Sequence, residues 1–288
     1  MIKVPKEVTK VLKTLGEAGF ESYVTGECVI DSLMGAKTYS WDVSAKAGYE
    51  ELIELFPEAK VLSEKYSVLR QELIDEVCDE NGEVIGEEGM IIDISTYRTR
   101  NAGASAENGK PLFTDKVEED LARRDFTIDA IAMNPYLAVN SIVDPYEGRE
   151  DIKKKMIRTI GDAEEAFRQE PIRMMKAVRY AAQLGFDLHK SVYEAISMNY
   201  KLLEKATPER IRDEFTDIMA AAYAGKGLNM LMATGLLRVI LGEKEFEGLT
   251  RREKSDLLQL CEGIEKTKQV PERRLGLFYS SIGKKRAL

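Results

Sequence analysis

Apolar residues recur at Val4, Val8, Val11, Leu12 and Leu15 on one helical face, and Gly16 and Gly19 close that pattern before Glu21-Ser22-Tyr23-Val24-Thr25 turns strand-like. A short apolar helix after Gly26, Cys28 to Met34, is stopped by Gly35, and Trp41 to Ala45 supplies a second strand. Tyr49 to Phe56 predicts an amphipathic helix, Lys60 to Ser63 and Ser67 to Leu73 predict strands, and Asn81-Gly82 marks a hairpin. Met90 to Tyr97 is rich in β-formers, whereas Thr99 to Pro111 is polar and aperiodic and reads as a loop. From Glu150 the character changes to helices with few β-branched runs: Pro171 to Leu184, His189 to Glu204 and Pro208 to Tyr223. This order predicts an α+β chain, a mixed sheet with helices followed by a helical region, divided between about Val143 and Glu150.

Composition narrows the class. A chain of 288 residues suggests two units rather than one core. Hydrophobic residues make up 44% and charged residues 32%, and no apolar run approaches the roughly 20 residues that span a bilayer, so no membrane partner is expected. The N-terminal residues run from Met1 to Pro5 straight into the first amphipathic pattern without a signal segment, which predicts a cytoplasmic location. Cys28, Cys78 and Cys261 lack CxxC spacing and predict reduced thiols. The single histidine, His189, excludes histidine-rich metal cages and Ser-His or Cys-His nucleophile systems, so carboxylates must carry any catalysis. The net charge of -8 argues against a chain coated with positive charge for nucleic acid, though it leaves room for a local basic groove.

Three segments carry candidate chemistry. In Gly26 to Gly35, followed by Ser40-Trp41-Asp42, a strand ends in glycine and opens a helix. Backbone N–H groups there can face a phosphate, and a carboxylate on the next strand can hold a metal against it. A glycine turn with one surface aspartate is the plainer alternative. In Glu118 to Asn134, Arg123 and Arg124 stand beside Asp125 and ahead of an apolar run. Guanidinium forks match phosphate oxygens, and a salt-bridged helix start is the alternative. In Gln169 to Tyr180, Pro171 suits a first helical turn, and Arg173, Lys176 and Arg179 recur every third residue. They form either a binding row or the basic stripe of an amphipathic helix.

Order and spacing of these segments resemble the tRNA CCA-adding enzyme and poly(A) polymerase family of nucleotidyltransferases. That family carries GGxVRDxLLG, DxD, RRDFTxNAxAxN, IDPxxGxxDL, EDPxRxLRAVRF and PERIRxE motifs. The counterparts are Gly26 to Gly35, Ser40 to Asp42, Arg123 to Asn134, Val143 to Ile152, Gln169 to Tyr180 and Pro208 to Glu214. The resemblance implies a nucleotidyltransferase palm over 1–147 and an RNA-binding helical neck and body over 148–288. It implies transfer of CMP or AMP from CTP or ATP to the 3′ end of tRNA or another RNA. Two Mg²⁺ ions held by the DxD carboxylates would activate the 3′-hydroxyl and brace the pyrophosphate. Asp42 matches the second of those carboxylates, and Asp93 matches an acidic position on a neighbouring strand. By the same resemblance Gly26, Arg123, Arg124, Asp125 and Asp129 contact the nucleotide, and Glu170 and Arg173, with Lys176 and Arg179 on the same helix, occupy the base-reading segment.

The chain departs from the pattern where chemistry concentrates. Ser40 replaces the first DxD aspartate, Glu27 the second glycine, Ile30 an arginine, Asp129 an asparagine and Gln169 a glutamate, while Glu170 lengthens the template aspartate by one methylene. Arg274 to Lys284 resembles the start of a truncated HD phosphohydrolase module, with Ser280 and Ser281 at the His-Asp positions. The alternative expectation is therefore a catalytically impaired relative that binds RNA or nucleotide.

Overall fold

Ile92 and Ile94 alternate with Asp93 and Ser95 along one strand, and the pleat sends the first pair to a dry core and the second pair to the other face. The same period of two puts Trp41, Val43 and Ala45 inside, with Ser40, Asp42 and Ser44 on the opposite face. Burying each large apolar side chain contributes roughly 1.5–3 kcal/mol, which is why this register is firmly set. The structure, a computed structural model, describes residues 4–78, 84–99, 112–137 and 141–283, with backbone alone over 75–78 and 84–88. Its contacts divide the chain into two units, Met1–Arg149 and Glu150–Leu288.

The first unit runs α1 (Lys6–Glu17), β1 (Ser22–Thr25), α2 (Glu27–Met34), β2 (Ser40–Ala45), α3 (Tyr49–Leu55), β3 (Lys60–Ser63), β4 (Val68–Cys78) and β5 (Val84–Thr96). It continues through β6 (Arg98–Thr99), β7 (Leu112–Phe113), α4 (Val117–Ala122), β8 (Ala132–Met133) and β9 (Ile142–Val143). Seven strands make one sheet in the order β3-β4-β5-β2-β1-β8-β9. Only β2 and β5 run parallel within it; every other pair is antiparallel. The apolar face of α1 is buried through Val8, Val11, Leu12 and Leu15. The Asn81-Gly82 turn and the 100–111 part of the expected loop lie outside the described residues, although β4 and β5 on either side of the turn do pair antiparallel.

The boundary falls within α5 (Gly148–Lys154), and the second unit continues with β10 (Met156–Ile157), α6 (Ala163–Gln169), α7 (Arg173–Leu184), β11 (Asp187–Leu188), α8 (Lys190–Asn199) and α9 (Pro208–Ala220). It ends with α10 (Ala224–Ala233), α11 (Leu236–Leu241), α12 (Glu243–Glu247), α13 (Arg251–Gly263) and α14 (Pro271–Ser281). Two details differ from the sequence expectation. The helix expected over His189 to Glu204 tightens into a 3₁₀ segment from Tyr200 to Lys205, and β10 and β11 form a parallel pair too short for any period to reveal. His189 itself caps α8, its ring nitrogen accepting the Ser191 N–H at 3.3 Å. No helix among the described residues is long and apolar enough to cross a membrane.

Candidate active site

A single transverse row of residues crosses the polar face of the sheet. Lys60 of β3 stands opposite Arg70 of β4, Arg70 opposite Asp93 of β5, Asp93 opposite Asp42 of β2, and Asp42 opposite Thr25 of β1. Paired positions share a face with strands about 4.8 Å apart, so the two aspartates are immediate neighbours. Arg70 grips Asp93 at both oxygens, Nε to Oδ1 at 2.7 Å and Nη2 to Oδ2 at 2.8 Å, and their side chains are only 29% and 21% exposed. That bidentate bond holds Arg70 above the ordinary arginine range. Burial raises the Asp42 carboxyl; the Arg124 guanidinium opposes this, and the charges of Asp93 and Glu27 add to it.

The glycine turn closes the other side. Gly26 has φ 81° and ψ -152°, a conformation that L side chains essentially never adopt. A methyl group there would lie 2.8 Å from Asp42 Oδ2 and 3.1 Å from Arg124 Nη1, so the bare backbone is what lets acid and guanidinium approach the start of α2. Arg124 Nη2 donates to Thr25 Oγ1 at 2.8 Å and lies 3.8 Å from Asp120 Oδ2. Asp120, fully buried, accepts from Arg123 Nε at 2.8 Å and from the Arg98 backbone N–H at 2.9 Å. Burial, reinforced by Arg123, lowers Arg98 from the usual arginine range. One buried carboxylate thus gathers the guanidinium groups of Arg123 and Arg124 and the backbone N–H of Arg98 on the border of the row.

The remaining sequence candidates divide. Asp129 is buried and its Oδ1 accepts the Phe126 N–H at 3.2 Å, a local brace of the turn that follows Arg124 and Asp125. In the second unit Glu170 links Arg210 Nη2 at 2.7 Å with Arg173 Nη2 at 3.4 Å. Arg173 is buried, with Nη1 donating to the Ala166 carbonyl at 3.1 Å. Arg179 pairs with Glu214 at 2.9 Å and with Gln183 at 2.8 Å, and Lys176 is half-buried, so these cations do not form one open basic stripe. Arg70 and Asp120 are not singled out by the sequence, and Arg210 stands there only as part of the Pro208 to Glu214 motif, without a role of its own. Asp120 leaves one sign, its spacing of three and four residues from Arg123 and Arg124.

Residues 22–158 match the poly A polymerase head domain, and residues 185–247 match the probable RNA and SrmB-binding site of polymerase A. The chain is 33% identical over 238 residues to a CCA-adding enzyme of Geobacillus thermodenitrificans, covering 82% of this chain and 54% of that protein. A CCA-adding enzyme of Lactobacillus helveticus is 33% identical over 267 residues, 90% of this chain and 61% of that one. The chain belongs to the CCA-adding enzyme and poly(A) polymerase family. It spans about half the length of the Geobacillus thermodenitrificans relative. The crystal structure of the Bacillus stearothermophilus CCA-adding enzyme in complex with CTP matches with a TM-score of 0.70 at 27% identity, over 98% of this chain and 75% of that one. The Thermotoga maritima CCA-adding enzyme complexed with tRNA, at 20% identity and a TM-score of 0.68 over 98% of this chain and 66% of that one, shares the fold.

Nucleotidyltransferases of this family generally use divalent metal ions. The donor chemistry here fits one such ion better than two. Asp42 and Asp93 bring two like charges side by side, an arrangement that a hard cation relieves, and Ser40 lies on the same face as Asp42 two residues along β2. Yet Arg70 already holds both oxygens of Asp93, and Ser40 is a hydroxyl where the family motif has a carboxylate. Among the described residues no cluster of three or more His, Cys, Asp or Glu side chains is placed to share a metal.

Proposed function

We propose that this chain is a template-independent nucleotidyltransferase that moves CMP or AMP from CTP or ATP onto the 3′ end of a tRNA or another RNA, with Mg²⁺ held by Asp42 and Asp93. The observation that carries this reading is the adjacency of those two carboxylates on parallel strands, facing a glycine turn that abuts Asp42 and Arg124. The likeness to the CCA-adding enzyme solved with CTP supports it. In the transfer the RNA 3′-oxygen bonds to the α-phosphorus, the α–β phosphoanhydride bond breaks, and pyrophosphate leaves. The cation, when bound, would lower the pKa of the 3′-hydroxyl and neutralise phosphate charge.

The chain's own groups would do the positioning. Gly26 and the first N–H groups of α2 would admit the triphosphate, and Arg123, Arg124 and Asp125 would hold phosphates and ribose on the turn that Asp129 braces. On the second unit Glu170 and Arg173 would read the base edge, with Lys176 and Arg179 further along the helix that Arg173 begins. The palm role would then fall to about residues 1–147 and the neck and body role to 148–288.

Labelled CTP and ATP, Mg²⁺ and tRNA lacking its 3′ CCA test the proposal: product extension is expected, and extension should vanish in Asp42→Asn. No extension with enzyme in excess overturns it. That outcome would favour the second reading, a nucleotide- or RNA-binding relative without turnover, for which the Arg70 grip on Asp93 and the hydroxyl of Ser40 speak. Under that reading CTP still shifts the melting temperature, and Ser40→Asp with Glu27→Gly gains extension.

A further inference from the structure

Arg70 has no place in the family motifs that the chain matches, yet it makes a bidentate contact on the site face. It reaches Asp93 across an antiparallel pair from β4, the side of the sheet away from the glycine turn. The face therefore reads, strand by strand, Lys60, Arg70, Asp93, Asp42: two cations, then two anions. With Arg124 set against Asp42 on the far side, each acid has an arginine neighbour supplied by the chain itself. One lone pair of each Asp93 oxygen is committed to the guanidinium, and the excess negative charge that draws a divalent ion to a carboxylate pair is cancelled nearby.

Building on the assignment of Asp42 and Asp93 as the cation-holding pair, we infer that Arg70 is a positioning residue that stands in for a cation at Asp93. While its grip lasts, Asp42 alone is open to the ion and holds it weakly; the pair holds the ion together only once the ion displaces the guanidinium from Asp93. Two consequences follow from charge alone. The Asp42–Asp93 pair is tolerated without metal, because Arg70 supplies positive charge where repulsion would otherwise separate the acids. Metal affinity is set by competition between Arg70 and the incoming ion for the same two oxygens.

Titration of the full chain with Mn²⁺, following the free-ion signal by electron paramagnetic resonance, tests this without any turnover. Arg70→Ala is expected to tighten Mn²⁺ binding by about tenfold, because a positive charge a few ångströms from the ion is removed at a half-buried site. The gain should disappear in Arg70→Ala combined with Asp93→Asn. Arg70→Met, which keeps the apolar stem, should repeat the tightening and replaces the alanine variant if that one loses its circular dichroism spectrum. Affinity within twofold of wild type in the folded variant, a gain that survives Asp93→Asn, or no Mn²⁺ bound by either protein overturns the inference. Tightening that Asp42→Asn leaves untouched would instead overturn the assignment of Asp42 on which the inference rests. A merely structural ion pair would lower the melting temperature on mutation and leave Mn²⁺ affinity where it was.

Discussion

On the sheet face of the first unit, charged side chains stand in a row with a glycine backbone beside them; in the second unit the most deeply buried charge, Arg274, is enclosed by carbonyls. Arg274 is 0% exposed. Its Nη1 donates to the carbonyls of Met219 at 3.0 Å and Ala221 at 2.7 Å, its Nη2 to the carbonyl of Thr267 at 3.1 Å, and its Nε to Thr267 Oγ1 at 3.2 Å. It thereby satisfies orphan carbonyls at the end of α9 and ties that end to the start of α14. Arg70, by contrast, meets one carboxylate and is partly open to water. An arginine wrapped by backbone oxygens is a structural tie, whereas one set against an acid on an open sheet face controls what else that acid can bind.

Removing each charge in turn separates the two roles. The largest effect is expected from Arg274→Ala, which leaves buried carbonyls without donors and should lower unfolding free energy by about 3–5 kcal/mol in a urea titration. A loss under 1 kcal/mol would break the contrast. Asp42→Asn comes next and acts in the opposite manner: extension of labelled tRNA should fall by at least about 100-fold, roughly 2.7 kcal/mol of barrier, while the unfolding free energy in the urea titration stays within about 0.5 kcal/mol of wild type. A mutant that loses stability and activity together would make Asp42 a structural acid like those of the second unit.

The longer strands β1 to β5 and most helices of the sheet unit are legible because their burial is periodic: Ile92 and Ile94 against Asp93 and Ser95 announce both a strand and its faces, whereas the two-residue strands β6 to β9 are too short to show a period. Asp42 and Asp93 are legible as types, and their place on neighbouring strands only through the family resemblance, because the adjacency depends on β5 returning parallel to β2, a long-range pairing that no local pattern encodes. Arg70 was illegible for the same reason, since a single cation on the polar face of a strand is ordinary until a partner is set opposite it. In sequence Arg274 resembles part of an HD-type motif with Ser280 and Ser281. In the fold both serines donate to carbonyls of their own helix, Ser280 to Gly276 at 2.8 Å and Ser281 to Phe278 at 2.6 Å, and the arginine clamps α9. Side-chain to backbone ties of this kind join distant segments and leave no spacing to recognise.

Gly26→Ala tests how closely the row depends on bare backbone. The alanine would carry a conformation costing about 1–3 kcal/mol and place its methyl against Asp42 and Arg124, so both stability and extension should fall, with activity lost more than the strain alone explains. Arg210→Ala is the smallest change and the sharpest test on the other side of the comparison. Its partner Glu170 is half-buried and keeps Arg173, and Arg210 itself is exposed, so the pair should contribute no more than about 0.5–1 kcal/mol and the fold should survive. If Glu170 serves the incoming base, freeing it from Arg210 will alter the ratio of CMP to AMP incorporated while leaving the melting temperature nearly fixed. If the ratio stays the same and only the melting temperature moves, Glu170 belongs with Arg274 among the ties of the helical unit.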